Sequence, residues 1–233
     1  MPYSPAMTEN QARDEIVRVG RSLFERGLAH ATAGNISVRL DDGGFLITPT
    51  DACLGLLDPA RLARLDAGLR QTGGDRASKT IALHARIYDS ARRFDAATAC
   101  VIHTHSTHCV ALTLEGADDD ELLPALTPYF VMKVGHVPRI AYHRPGAAEA
   151  AEAVAQAIER YGARGTPIRA VMLERLGPNV WHDTPAAAMA TLEELEETAR
   201  LWWLAGSRGG EHRPAPLDET RIDELRRQFG ARW

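Results

Sequence analysis

Apolar and polar positions alternate along this chain with two different periods. Ile16, Val19, Leu23 and Phe24 recur at helical spacing, Thr8 and Gln11 form a capping-box pattern ahead of them, and Gly27 follows. Together these predict a first helix. The next runs are short and β-rich, Ile36 to Leu40 and Phe45 to Thr48, separated by Asp41-Asp42-Gly43-Gly44. Aspartate and glycine tolerate positive φ, so this reads as a hairpin of two antiparallel strands. Ser78 is placed to cap a helix with the apolar face Ile81, His84, Ile87 and Tyr88, and Thr98 to Ile102 reads as a buried strand that ends at two histidines.

Further along, Val137 to Tyr142 predicts a strand, Ala147 to Tyr161 an alanine-rich helix after Pro145-Gly146, and Ile168 to Leu173 another buried strand. Thr184-Pro185 opens a long helix with Met189, Leu192, Leu195, Ala199 and Trp202 on one stripe and Glu193, Glu194, Glu196 and Glu197 largely opposite. Residues Gly206 to Pro216 read as a polar linker, and Asp218 to Trp233 as a short terminal helix with Leu225 and Phe229 to bury. This is an α/β chain: one domain over residues 1–207, then a linker and helix over 208–233 that packs on the domain or on a neighbouring subunit.

Composition narrows the function classes. With 45% apolar and 25% charged residues the chain can bury a sizeable core. A net charge of −4 with no Lys/Arg-rich run argues against nucleic acid as a partner. Residues Met1 to Asp14 carry early charges and no apolar leader core, and nowhere do enough apolar residues run together to span a membrane. A cytoplasmic protein with a small-molecule substrate is the expectation. Cys53, Cys100 and Cys109 form neither a disulfide framework nor a CxxC knuckle and read as buried free thiols.

The candidate chemistry centres on His103-Thr104-His105. Two imidazoles two residues apart on an extended backbone project to one face and can converge on a cation, with a third ligand supplied from elsewhere. The alternative is a pair that packs or caps locally. Gly34-Asn35-Ile36-Ser37-Val38-Arg39, Leu46-Ile47-Thr48-Pro49-Thr50 and Val101-Ile102-His103-Thr104-His105-Ser106 occur in an order and spacing that resembles the class II aldolase/adducin family. The likeness extends through Tyr129 to Gly146 and the Leu192 to Glu197 segment, and is strongest to the oxo-tetronate phosphate decarboxylase branch.

The resemblance implies a mostly antiparallel sheet of about nine strands flanked by helices, and a homotetramer with active sites between subunits. It also implies a divalent metal, with zinc the expected ion, held by His103 and His105, that stabilises the enediolate left when a carbon–carbon bond breaks. By the same likeness Gly34, Asn35, Thr50, Asp51, Ser78 and Lys79 match loops that hold a substrate phosphate. Read without it, Gly34 and Asn35 make a tight turn, Thr50 caps a turn and Ser78 caps a helix.

Two departures from the family pattern stand out. Thr80 occupies the place of the acid/base carboxylate, and Leu176, in Arg175-Leu176-Gly177-Pro178, the place of the third metal histidine. Glu174 is a candidate substitute ligand, since residues two apart on a strand share a face. His84, four residues after Thr80 on the same helical face, is a candidate base, and Tyr142 carries a phenol for proton transfer. His108 reads as an outside candidate ligand, Arg144 as a turn or interface anchor, His136 and His143 as neighbours of the site, and His30 and His182 stay unassigned. Trp202, Trp203 and Trp233 suit an interface. Three readings remain open: a metal-assisted lyase, a catalytically silent relative, and a two-histidine site working on a substrate that supplies its own chelating oxygens.

Overall fold

The computed structural model describes residues 7–114, 120–206 and 214–233. Helix α1 (Glu9–Glu25) starts in the capping box, with Gln11 N–H donating to Thr8 and the Gln11 side chain accepting from Thr8 N–H, and it buries Ala12, Ile16, Val19 and Leu23. Strands β1 (Asn35–Arg39) and β2 (Phe45–Ile47) form the hairpin, closed by Leu40 N–H to the Gly44 carbonyl. Then come β3 (Ala63–Leu65), β4 (Gln71–Gly73), α2 (Ile81–Ala91), β5 (Cys100–His103) and α3 (Thr107–Leu112). A π-helical turn at Phe130–Val134 leads to β6 (Arg139–Ile140), α4 (Ala148–Ala163), β7 (Ala170–Leu173), β8 (Gly177–His182), α5 (Pro185–Gly206) and α6 (Glu219–Phe229).

Among the described residues the strands make one sheet of eight, in the order β4-β3-β2-β1-β5-β8-β7-β6. Only β6 and β7 run parallel; the other neighbours are antiparallel. Because side chains alternate across a strand, the sheet sorts its residues into two cores. Ile36, Val38, Cys100, Ile102, Val180, Ala170 and Met172 face one way, packing with α1, α3 and α5. Val101, Val171, Leu173 and Trp181 face the other, against α2 and α4. Trp181 is essentially fully buried there, and cutting it to alanine would cost about 3–5 kcal/mol.

Several sequence expectations change in detail. The strand predicted from Val137 shrinks to Arg139–Ile140, the parallel edge of the sheet, while β3, β4 and β8 carried too weak a pattern to be anticipated. Ser78 does not cap α2: Thr80 holds the cap position, and the Ser78 hydroxyl bonds the Thr80 hydroxyl at 2.9 Å. Glu196 is not on the solvated side of α5 but buried, accepting hydrogen bonds from the backbone N–H groups of His108 and Cys109 at 2.9 and 3.0 Å, and it thereby satisfies two of the orphan donors of α3. His108 is engaged by the same carboxylate through Nδ1. In α6, capped by Asp218 and ended by Gly230, Leu225 is buried but Phe229 stays exposed. Trp233, offered as an interface anchor, stacks on His136 and meets Phe130 within its own chain. Most of the linker falls outside the described residues.

Candidate active site

The site forms where β1, β5 and β8 end side by side. Register places Asn35, His103 and Asn179 in one row across these strands, all on the face covered by α2 and α4. Two glycines allow the close approach. Gly34 has φ +92°, and a Cβ there would lie 2.9 Å from the His103 carbonyl oxygen; Gly177 has φ +135°, and a Cβ there would collide with the Thr104 carbonyl oxygen and sit 3.1 Å from His105 Cα. No other residue type fits at either point.

His103 is oriented by its neighbour strand. Its Nδ1 lies 2.9 Å from the Pro178 carbonyl, which can only accept, so Nδ1 carries the proton and Nε2 keeps its lone pair. Burial pushes the His103 pKa down to about 4, with the His105 imidazole adding to the effect and the Pro178 bond opposing it. Half-buried His105 is also lowered, by burial and then by His30. Both rings are therefore neutral near pH 7. They sit 5.1 Å apart between centroids at 65°, and His30 meets His105 edge-on at 6.3 Å.

These histidines open into a pocket of about 370 Å³. Its second wall is built by two loops tied together: Thr50 N–H donates to the Arg76 carbonyl and Ser78 N–H to the Thr48 carbonyl, with Pro49 bridging Ala77. This brings Thr50, Asp51, Ser78, Lys79 and Thr80 to one rim beside Gly34 and Asn35. The third wall is Arg144 with the start of α4, whose cap position is Ala147 with no side-chain cap. The free N–H groups of that first turn add to the positive character contributed by Lys79 and Arg144. Asp51, at φ +58°, is the one acidic residue lining the pocket among the described residues. The arrangement can hold an anionic substrate with two separated anionic groups over a neutral histidine pair.

Of the residues singled out from sequence, Gly34, Asn35, Thr50, Asp51, Ser78, Lys79, Thr80, His103 and His105 all line this pocket. Three do not. Glu174 is turned to the buried Arg139 guanidinium, Oε1 to Nη2 at 3.1 Å, because an unpaired buried cation is far costlier than a paired one. His84 lies wholly buried beneath the pocket, its Nδ1 2.7 Å from Ser37 Oγ, and burial lowers its pKa to about 3, with His103 contributing next. It serves the polar contact between α2 and β1 that also includes Tyr88. Tyr142 points to solvent, 56% exposed. Conversely, Arg144 and the α4 alanines belong to the wall; Pro145-Gly146 before an alanine run was the available signal, and it marked a helix start without saying what faces it.

Comparison with known proteins places this pocket. Residues 14–203 match the family model for the class II aldolase and adducin N-terminal domain. The chain belongs to that family. This class II aldolase relative is 51% identical to 3-oxo-tetronate 4-phosphate decarboxylase of Cupriavidus necator over 97% of its own length and 99% of that protein's. It is 38% identical to the protein of the same name from Escherichia coli K12 over 87% of the chain and 91% of the relative. Among solved structures it resembles YgbL of Escherichia coli, with TM-score 0.80 and 36% identity over 94% of this chain and 99% of that one. An L-fuculose 1-phosphate aldolase, at TM-score 0.77 and 21% identity over 97% and 100%, shares the fold.

The divalent metal implied by the family can be tested against the side chains of this class II aldolase chain. His103 and His105 are suitable donors, but Leu173 and Leu176 take the adjoining wall. Among the described residues no group of three His, Cys, Asp or Glu side chains converges as a metal site. Catalytic zinc uses three protein ligands; the set here is one short and does not fit a resident ion.

Proposed function

We propose that the protein is a carbon–carbon lyase that decarboxylates a small phosphorylated 3-oxo acid, of the four-carbon type named by its relatives. Those relatives share up to 51% identity with it over nearly the full chain. The observation that carries the reading is the composition of the pocket: phosphate-type donors on one rim, a second cationic wall, and no carboxylate at position 80. Aldol cleavage starts by removing a hydroxyl proton and needs a base beside the reacting carbon. Thr80 at the rim and His84 buried below it leave the family's carboxylate position without a base.

Decarboxylation needs none to begin. The C1–C2 bond breaks, its electron pair forms a C2–C3 double bond as the carbonyl pair moves onto the C3 oxygen, and carbon dioxide leaves. A proton then returns to C2, leaving a phosphorylated ketone one carbon shorter. Gly34, Asn35, Thr50, Ser78 and Lys79 bind the phosphate, and fixing that end orients the C1–C2 bond. The charge arriving on the C3 oxygen is met by the donors that line the pocket.

The experiment follows carbon dioxide release from 3-oxo-tetronate 4-phosphate with purified protein, against the uncatalysed blank. Release well above the blank is the expected result; release at the blank rate, or aldehyde formation from a ketose phosphate instead, overturns the reading. A second reading, a catalytically silent family member, is favoured by Thr80 and Leu176 together, and the same assay decides it. We also take the protein to be a cytoplasmic homotetramer with sites completed between copies. The exposed Tyr129, Tyr142, Leu201 and Leu204 support the assembly. No described helix is long and apolar enough to cross a membrane.

A further inference from the structure

We propose that this pocket retains no resident divalent ion, because Leu176 fills the third coordination direction around the His103–His105 pair, and that the single change Leu176→His would build the missing site. The inference concerns metal affinity alone and stands apart from the reaction proposed above.

The histidine pair is arranged as a metal would require. The Pro178 carbonyl fixes the His103 tautomer so that Nε2 is the free acceptor, which is the usual outer support of a ligating histidine. With a metal–nitrogen distance of about 2.0–2.1 Å and tetrahedral angles, two ligating rings place their centroids about 5 Å apart. The pair shows 5.1 Å. Two of the ligands are thus preformed.

Among the described residues no other donor completes the set. His30 is 6.3 Å from His105, beyond that spacing, and meets it edge-on. Glu174 is held by Arg139 at 3.1 Å, and His84, wholly buried beneath the pocket, gives its Nδ1 to Ser37. What does reach the pair is the β7–β8 turn. It presses so closely on the histidine segment that a Cβ at Gly177 would lie 3.1 Å from His105 Cα, and the residue just before it, Leu176, lines the same pocket as both imidazoles. Its wall offers methyl groups where a third nitrogen is needed.

The experiment expresses parent and L176H in zinc-supplemented medium, dialyses both, measures metal by mass spectrometry, and titrates each with Zn²⁺ by calorimetry. The parent should retain well below one ion per chain, and L176H should bind one Zn²⁺ at least about 100-fold more tightly, since even losing a ligand's outer support costs 10–100-fold. Co²⁺ loaded into L176H should show the visible absorption of a four-coordinate site. A parent that keeps one ion through dialysis overturns the proposal; if H30A then abolishes that binding, His30 is the third ligand. An L176H that folds, by circular dichroism, yet binds no better also overturns it. Should L176H not fold, the parent's metal content alone decides. None of these readouts uses turnover, so carbon dioxide release succeeds or fails separately.

Discussion

Replacing Gly177 with alanine tests whether the turn between β7 and β8 truly holds the histidine segment in place. The residue sits at φ +135°, a region open to glycine and costing other residues about 1–3 kcal/mol. The added Cβ would also run into the Thr104 carbonyl oxygen. Relief requires the turn to move away, and two bonds lie across that gap: Thr104 N–H to the Pro178 carbonyl at 3.3 Å, and His103 Nδ1 to the same carbonyl at 2.9 Å. Losing both adds roughly 1 kcal/mol each. The total is about 3–5 kcal/mol, read as a fall in the urea midpoint at constant slope. Because His103 loses the acceptor that sets its tautomer, turnover should fall more than substrate affinity. A variant destabilised by less than about 1 kcal/mol with parental activity would refute the argument.

Other perturbations reach other parts. Glu196→Gln keeps one acceptor oxygen of the buried carboxylate serving His108 and Cys109; it should cost about 1–3 kcal/mol and speed hydrogen exchange at those two amides. Lys79→Met removes the ammonium at the phosphate rim and should raise KM for a phosphorylated substrate about 10–100-fold with a smaller change in kcat; an unchanged KM would remove Lys79 from the phosphate site. Stability should fall with acid. His84 and His103 have folded pKa values of about 3 and about 4, below the unfolded value near 6.5, so the unfolded chain binds more protons between those limits. Their contribution is full above pH 6.5 and falls by about 2 kcal/mol per histidine by pH 5, measured as urea midpoints across that range. His84→Gln should flatten the decline.

Local order in the chain could be read directly because its causes are local. The Thr8–Gln11 box, the Asp41 to Gly44 turn and the Thr184-Pro185 start each depend on residues within a few positions, and all three elements appear where those signals put them. The pairing of His103 with His105, and the rim of Gly34, Asn35, Thr50, Asp51, Ser78 and Lys79, were likewise visible as motifs. What the chain could not show by itself was which side chains had other partners. Strand parity pairs Glu174 with Leu176, but both lie in the β7–β8 turn, with Arg175 at φ +61°, and Arg139, thirty-five positions away, claims Glu174. His84 lies on the face of Thr80, yet one turn deeper that face meets Ser37 and leaves the pocket. Glu196 reads as part of a solvated acidic stripe until α3 docks its orphan N–H groups against it. A backbone period is set by neighbours in sequence, whereas the fate of a charge is set by whatever the folded chain brings within about 3 Å of it, and only the tertiary structure decides that.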